Sequence, residues 1–244
     1  MVADVDPGIL ALAVLAAFAL AWLSAVAGFG GGVLLLPVFV ALFGLRVAVP
    51  VLTLAQLVSN GSRVAFNRRD VNWSLVRHFA FGAVPLALVG GVLFAYAPLD
   101  GLKRVLGAFL LLLVAGRRFS PRPPRVSERS FIAVGAASGL GSALVGSVGP
   151  LTAPFFLAYG LVKGAYIGTE AASAVIMHVA KLGAYGTGGL LSPDVLALGA
   201  ALAPATMLGA LVGKRTLDHV SERFFVVLVE VGLVSSGVLL LFGL

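Results

Sequence analysis

The residues best suited to chemistry in this chain are small residues that interrupt two apolar segments. Glycine costs about 1 kcal/mol relative to alanine in a helix interior, so each glycine-rich run is expected to break a helix. A helix that begins after such a break presents free backbone N–H groups and the positive end of its dipole, and both attract an anion. Close packing between helices is the alternative explanation for the small residues. The positions predicted to bind an anion in this way are Gly28, Gly30, Gly31, Gly32, Ser147 and Gly149.

The two interrupted segments occupy matching places in the two halves of the chain. Pro37 matches Pro154 and Phe39 matches Phe156, at a separation of about 117 positions. One such motif near the start of each half indicates a tandem duplication. Paired apolar segments interrupted by Gly and Pro in two halves are typical of the binding site of a transporter.

Polar side chains form a stripe on one helix face in each half. Polar residues inside apolar helices are costly and tend to face a cavity or the bundle interior. The stripes add these residues to the predicted site: Thr53, Gln56, Asn60, Thr169, Ser173, His178 and Lys181. Simpler roles stay open for several of them, since Gln56 and Asn60 could join helices by hydrogen bonds, His178 could be a packing residue and Lys181 could reach the outer interface. Arg63 is interpreted as snorkelling to the cytoplasmic interface, and Glu170 as an ion-pair or cap group or a functional residue.

The composition is that of a membrane protein built from helices. The chain is 60% hydrophobic and 11% charged, with a mean hydropathy of +1.08. Soluble domains carry about 25% charged residues, and apolar runs of membrane-spanning length recur along this chain. The formal charge of +7 is attributed to loops that fix the orientation in the lipid bilayer, and no nucleic-acid partner is expected. Because the chain has no cysteine, thiolate metal sites and disulfides are excluded, and no cofactor is predicted.

Ten apolar runs predict the fold, five in each half. An all-α polytopic membrane protein is expected, with two inverted repeats of about five hydrophobic elements each, whose first elements are broken by glycine or re-entrant. The first half has runs at 7–27, 32–44, 47–66, 73–96 and 102–115, and the second at 131–146, 151–160, 165–185, 195–212 and 224–242. The corresponding units are a repeat over 1–118, a Pro/Arg-rich linker over 119–129 and a repeat over 130–244. Whether the short runs 32–44 and 151–160 span or re-enter stays open.

The distribution of Lys and Arg predicts the orientation. Most of the 17 basic residues fall in the 67–72 turn, the linker and two later loops. Basic loops stay in the cytoplasm, so the linker is predicted there and both termini are predicted to be periplasmic.

Residues Gly28 to Pro37 have the pattern Gly-Phe-Gly-Gly-Gly-x4-Pro, and a weaker copy lies in mid-chain. This pattern resembles the TauE/SafE sulfite-exporter family, also called the TSUP family of anion permeases (4-toluene sulfonate uptake permease-like anion transporters). In the second copy Ser147 and Val148 stand where the family pattern has glycines. The resemblance covers essentially the full length. It implies a secondary transporter, most often an exporter, of sulfite or a small organosulfonate anion across the bacterial inner membrane.

Other functions are weighed against this one. A channel-like anion pore has the same sequence features as a carrier. An intramembrane enzyme that pairs His178 with Ser138, Ser142 or Ser147 is disfavoured. The segment Gly135-Ala-Ala-Ser-Gly139 misses the usual serine spacing by one residue, and a single active site does not explain the duplication, so the chain is not expected to be an enzyme. The second ionisation of sulfite lies near neutral pH, so proton coupling through His178 or Lys181 is a further hypothesis. A homodimer is left open.

Overall fold

The computed structural model describes residues 6–27, 31–98 and 126–216, together with isolated positions between 101 and 115 and at 234 and 238. The continuous stretches form helices joined by short turns. The helices are α1 (Pro7–Ala27), α2 (Gly31–Phe43), α3 (Leu45–Asn67), α4 (Trp73–Tyr96), α5 (Ser130–Val145), α6 (Gly149–Ala158), α7 (Lys163–Thr187) and α8 (Pro193–Thr216). The predicted fifth run of each half and most of the linker lie outside the described residues.

The predicted all-helical character is confirmed over the described part of the chain. Helices α1 and α4 have the predicted bounds, and the others begin or end within a few residues of the predicted runs. Three helices, α1, α4 and α8, are long and apolar enough to cross a membrane by length and composition. Helices α3 and α7 have comparable lengths of 23 and 25 residues and carry the two polar stripes.

The two short runs form helices that are too short to span a bilayer. Helix α2 has 13 residues and α6 has 10. At a rise of 1.5 Å per residue they are about 20 and 15 Å long, against a hydrocarbon core of about 30 Å. Between α2 and α3 the backbone turns at Gly44, whose φ of +74° lies in the left-handed region that favours glycine.

Glycine allows two helix pairs to pack backbone against backbone. A Cβ on Gly135 or Gly139 of α5 would collide with the carbonyl of Phe79 or Ala83 in α4. In the same way, a Cβ on Gly209 in α8 would collide with the Phe18 carbonyl of α1. Small residues at such contacts let helices approach closely inside a membrane. The packing explanation of glycine therefore holds for α4 with α5 and for α1 with α8.

The turns after α3 and α6 lie at one end of the bundle, with the start of α5 and the end of α8. Lys214 Nζ donates a hydrogen bond of 2.8 Å to the Phe66 carbonyl. Glu128 accepts hydrogen bonds from Ser74 Oγ at 2.9 Å and from Tyr159 OH at 3.1 Å. At the other end of α4, the Arg46 guanidinium donates to the carbonyls of Phe94, Ala95 and Ala97. These contacts give α3 and α7 opposite directions, since Gly168 near the start of α7 lies against Asn67 at the end of α3.

Large apolar side chains cover much of the outer surface of the bundle. Phe81 is 79% exposed, Leu15 66% and Leu93 51%. Exposed apolar residues on this scale are expected of a surface that faces lipid. The helices bury Phe39, Phe94 and Phe131 in their interior instead.

Candidate functional site

A cavity lies in the middle of the bundle. Each of the described helices α1 to α8 contributes at least one residue to its wall. It leaves about 50 Å³ for the centres of water-sized molecules. Because one water needs about 10–15 Å³ on this measure, the cavity has room for several waters or for a small oxyanion.

About half of the wall is polar. Among its apolar residues are Leu35, Phe79, Phe156 and Met177. The polar residues of the wall are Ser24, Gln56, Ser59, Asn60, Arg63, Ser142, Ser147, Thr152, Glu170, Ser173, His178 and Thr206. Convergent polar groups set among apolar and aromatic side chains are the usual lining of a small-molecule site.

The two helix breaks meet at this cavity. Gly32, at the start of α2, approaches Gln56 and Ser147 so closely that a Cβ on it would lie 2.8 Å from Ser147 Oγ and nearer still to the Gln56 amide. Helix α6 begins at Gly149, and its N-cap residue Val148 supplies no side-chain cap. The first N–H groups of a helix have no partner within the helix. The cavity therefore adjoins two helix N-termini, and the positive ends of helix dipoles favour an anion.

The backbone carbonyl of Gly146, just after α5, collects donors from three elements. It accepts hydrogen bonds from Lys181 Nζ at 2.9 Å, Gln56 Nε2 at 3.2 Å and Ser142 Oγ at 3.3 Å. Gly146 has a φ of +81°, a conformation that favours glycine. The break between α5 and α6 thus places a cation at the negative end of α5 and leaves the positive end of α6 toward the cavity.

Lys181 is held at this junction and not at a membrane surface. Its side chain is completely buried, and Nζ also donates a hydrogen bond of 3.0 Å to Ser142 Oγ. The alternative in which Lys181 reaches the outer interface is therefore wrong. Lys181 lies behind Ser142 and does not itself line the cavity.

Arg63 and Glu170 form a buried ion pair across the cavity wall. Arg63 Nη2 lies 2.9 Å from Glu170 Oε2, and Arg63 Nη1 donates a hydrogen bond of 2.8 Å to Asn60 Oδ1. Arg63 is only 3% exposed. The interpretation of Arg63 as a snorkelling residue is wrong, because the acidic partner on α7 holds the guanidinium inside the bundle. Glu170 has the ion-pair role that was one of its two alternatives.

Two buried polar atoms in the wall have no hydrogen-bond partner among the described residues. They are Ser173 Oγ and His178 Nδ1, and each residue is 1% exposed. An unsatisfied buried polar group costs about 1–3 kcal/mol, so native structures rarely keep one without a use. Both side chains line the cavity, where a bound molecule would satisfy them.

Other predicted site residues lie away from the cavity or outside the described residues. Thr53 is fully buried and its Oγ1 donates to the Val49 carbonyl at 2.8 Å, within its own helix. Thr169 Oγ1 accepts a hydrogen bond of 2.9 Å from the backbone N–H of Asn72, the residue that directly precedes α4. Gly31 is the first residue of α2. Gly28 and Gly30 lie outside the described residues.

The structure brings seven of the predicted positions together in the wall and adds others. The seven are Gly32, Gln56, Asn60, Ser147, Gly149, Ser173 and His178. Arg63 and Glu170 were noticed in the sequence but not assigned to the site. Ser142 was considered only as a catalytic serine, and the wall residues not predicted in any role are Ser24, Ser59, Thr152 and Thr206. In the sequence most of these residues appear only as single hydroxyls within apolar helices. This signal is weak, because such hydroxyls commonly donate to a carbonyl of their own helix, as Thr206 does to Ala203.

Comparison with known proteins identifies the family. A family model described as sulfite exporter TauE/SafE matches residues 13–240 of the 244-residue chain. No curated protein and no solved structure gave a match. The matched range includes both helix breaks and the whole polar wall of the cavity. This multi-pass membrane chain therefore belongs to the sulfite exporter TauE/SafE family.

Proposed function

We propose that this chain is a secondary transporter that exports sulfite or a small organosulfonate anion across the bacterial inner membrane. Its family favours transport over catalysis. The observation that carries the proposal is the central polar cavity, in which two helix N-termini and the unpartnered Ser173 and His178 face the same small space.

The chemistry of the cavity wall favours an anion over a cation or a neutral solute. Serine and threonine hydroxyls donate hydrogen bonds, and the starts of α2 and α6 add the positive ends of their dipoles. Among the described residues buried in the middle of the bundle, Arg63 and Lys181 are basic and Glu170 is acidic. Basic side chains outnumber acidic ones there, which favours an occupant with negative charge. The cavity has room for a small ion.

The topology in this proposal is a pair of inverted repeats, over 1–118 and 130–244, joined by a cytoplasmic linker over 119–129. Helix packing supports it: α1 packs on α8 of the other half, and α5 in turn packs on α4. In a pair of inverted repeats the matching helices α3 and α7 would run in opposite directions, as they do here. The cavity then lies near the bilayer midplane, where inverted-repeat transporters bind their substrates.

The experiment that tests the function is counterflow of labelled sulfite in proteoliposomes. Vesicles loaded with unlabelled sulfite should take up labelled sulfite transiently above equilibrium, and the initial rate should saturate with concentration. A channel-like pore would conduct sulfite without this transient accumulation. Absence of any protein-dependent sulfite flux would contradict the proposed function itself.

A further inference from the structure

The Arg63–Glu170 ion pair is an unusual way to hold α3 against α7. Both side chains are nearly fully buried, with residue exposures of 3% and 7%. Removing two charges from water costs several kcal/mol for each ion, and apolar residues of similar volume often hold helices together as well or better. The pair also lies in the wall of the cavity and not in the apolar core. Its position points to a role in binding.

The guanidinium of Arg63 is the strongest oxyanion ligand in the cavity wall. Its planar fork matches the spacing of two oxygens of a carboxylate, a sulfite or a sulfonate. In this structure one such oxygen, Glu170 Oε2, is already in contact with Nη2 at 2.9 Å. The carboxylate therefore occupies a place in which an oxygen of a small anion would make the same contact.

A displaced Glu170 carboxylate has a donor nearby. Ser173 follows Glu170 by three positions on α7, and residues at this spacing are neighbours on a helix surface. Its Oγ has no hydrogen-bond partner among the described residues, and it lines the same cavity. The other titratable side chain in the described wall is His178, also on α7, while the wall residues of α1, α2, α4, α5, α6 and α8 are uncharged. Lys181 remains behind Ser142, bonded to the Gly146 carbonyl.

We propose that Glu170 is a tethered competitor of the transported anion. In the empty transporter the Glu170 carboxylate is paired with the Arg63 guanidinium. An incoming oxyanion displaces the carboxylate from Arg63, and the carboxylate then turns toward Ser173. When the carboxylate returns to Arg63 it expels the anion, so the pair keeps affinity moderate and speeds release. This inference rests on the proposed anion transport.

The first test is sulfite binding to purified Glu170→Gln, measured by isothermal titration calorimetry in lipid nanodiscs. Removing the competing charge should lower the Kd for sulfite by about tenfold or more, and efflux from proteoliposomes should slow. Glu128→Gln is the matched control, since Glu128 lies at the end of the bundle and outside the cavity wall, and it should bind sulfite like the wild type. An unchanged or weaker affinity in Glu170→Gln would overturn the inference.

The second test removes the guanidinium. Arg63→Gln alone leaves Glu170 buried without its cation and is at risk of misfolding, so the double variant Arg63→Gln/Glu170→Gln is made with it. The double variant should insert, elute as the wild type does on size exclusion, and bind sulfite at least about a hundredfold more weakly than Glu170→Gln. If it binds as tightly as Glu170→Gln, Arg63 is not an anion ligand and the inference fails.

Failure of the proposed function and failure of the tethered-competitor role give different experimental results. If wild-type protein neither binds nor transports sulfite, the proposed function is wrong. If wild-type protein transports sulfite by counterflow while Glu170→Gln gains no affinity, the function stands and the tethered-competitor role is excluded.

Discussion

Single residues at the two helix breaks determine how the cavity is formed. Gly32 permits the Gln56 amide and Ser147 Oγ to approach the start of α2. Gly146 adopts a left-handed conformation and offers its carbonyl to Gln56 and Lys181. Gln56 therefore contacts both breaks. An atom added at either break would displace Gln56 and so change its contact with the other break.

Gly32→Ala is expected to impair transport without preventing membrane insertion. The new Cβ would push the Gln56 side chain away from the Gly146 carbonyl, and overpacking of this kind costs about 1–3 kcal/mol. Sulfite affinity should fall roughly ten- to a hundredfold, as measured by calorimetry. Gly61→Ala in α3 is the matched control, because a Cβ there meets nothing within 4 Å. Equal sulfite affinity in the two variants would show that the close approach at Gly32 is not needed.

His178→Gln is expected to change the pH dependence of sulfite flux. His178 lines the cavity and has an unpartnered Nδ1, and an anion bound beside it would favour the protonated imidazole. The flux profile of this variant between about pH 5.5 and 8 should be flatter than that of the wild type. Lys181→Gln should lower flux at every pH through loss of its bond to Gly146. Profiles of the same shape in wild type and His178→Gln would exclude His178 as a proton-sensing group.

At the scale of helices, small residues have two distinct uses in this chain. Inside α5 and α8 they let whole helices pack closely, as Gly139 does against Ala83. Elsewhere they stand at the start of short helices: α2 begins at Gly31 and α6 at Gly149, and Gly32 and Gly149 lie in the cavity wall. The short helices provide the N-termini, and the long helices α3 and α7 provide most of the side chains of the cavity.

Glu128 connects elements at one end of the bundle, and its contribution to stability should depend on pH. The hydrogen bond from Ser74 and then that from Tyr159 hold the pKa of the Glu128 carboxyl below its ordinary value of 4.5. A carboxyl with a lowered pKa in the folded state stabilises the fold above its unfolded pKa and loses this effect as the pH falls through the folded value. Glu128→Gln should therefore melt at a lower temperature than wild type at about pH 7, with the difference shrinking toward pH 4. A difference in melting temperature that is constant with pH would contradict the role of the charge.

At the scale of the whole molecule, basic residues gather at one end of the bundle. Arg68 and Arg69 follow α3, and Lys163 begins α7 beside them. Lys214 of α8 reaches the same end through its bond to the Phe66 carbonyl. Basic loops remain in the cytoplasm, so this common end is the one that the proposal places inside the cell.

Single-cysteine labelling tests this orientation, and the absence of native cysteine makes the background low. A membrane-impermeant maleimide added to intact spheroplasts should label Pro98→Cys and should not label Arg69→Cys or Val162→Cys. Inverted vesicles should give the opposite pattern. External labelling of both Arg69→Cys and Val162→Cys would reverse the orientation, and labelling of these two from opposite sides would contradict the shared end of α3 and α6.

The sequence by itself determined the helices and the places where they break. Apolar run length and the low helix propensity of glycine are local properties, and for this reason the bounds of α1 and α4 could be predicted residue by residue. The two stripes of polar residues also followed from the helical repeat alone, which identified Gln56, Asn60, Ser173 and His178 as cavity candidates.

Only the tertiary structure decided which polar residues face the cavity and which partners they have. Thr53 and Thr169 satisfy their hydroxyls on nearby backbone groups, although they lie in the same stripes. Arg63 is drawn inward because Glu170 approaches from a helix that is 107 positions away in sequence. The free energy of a buried charge depends on its partner, and the partner is set by the packing and rotation of two distant helices. Helical periodicity carries no information about that contact.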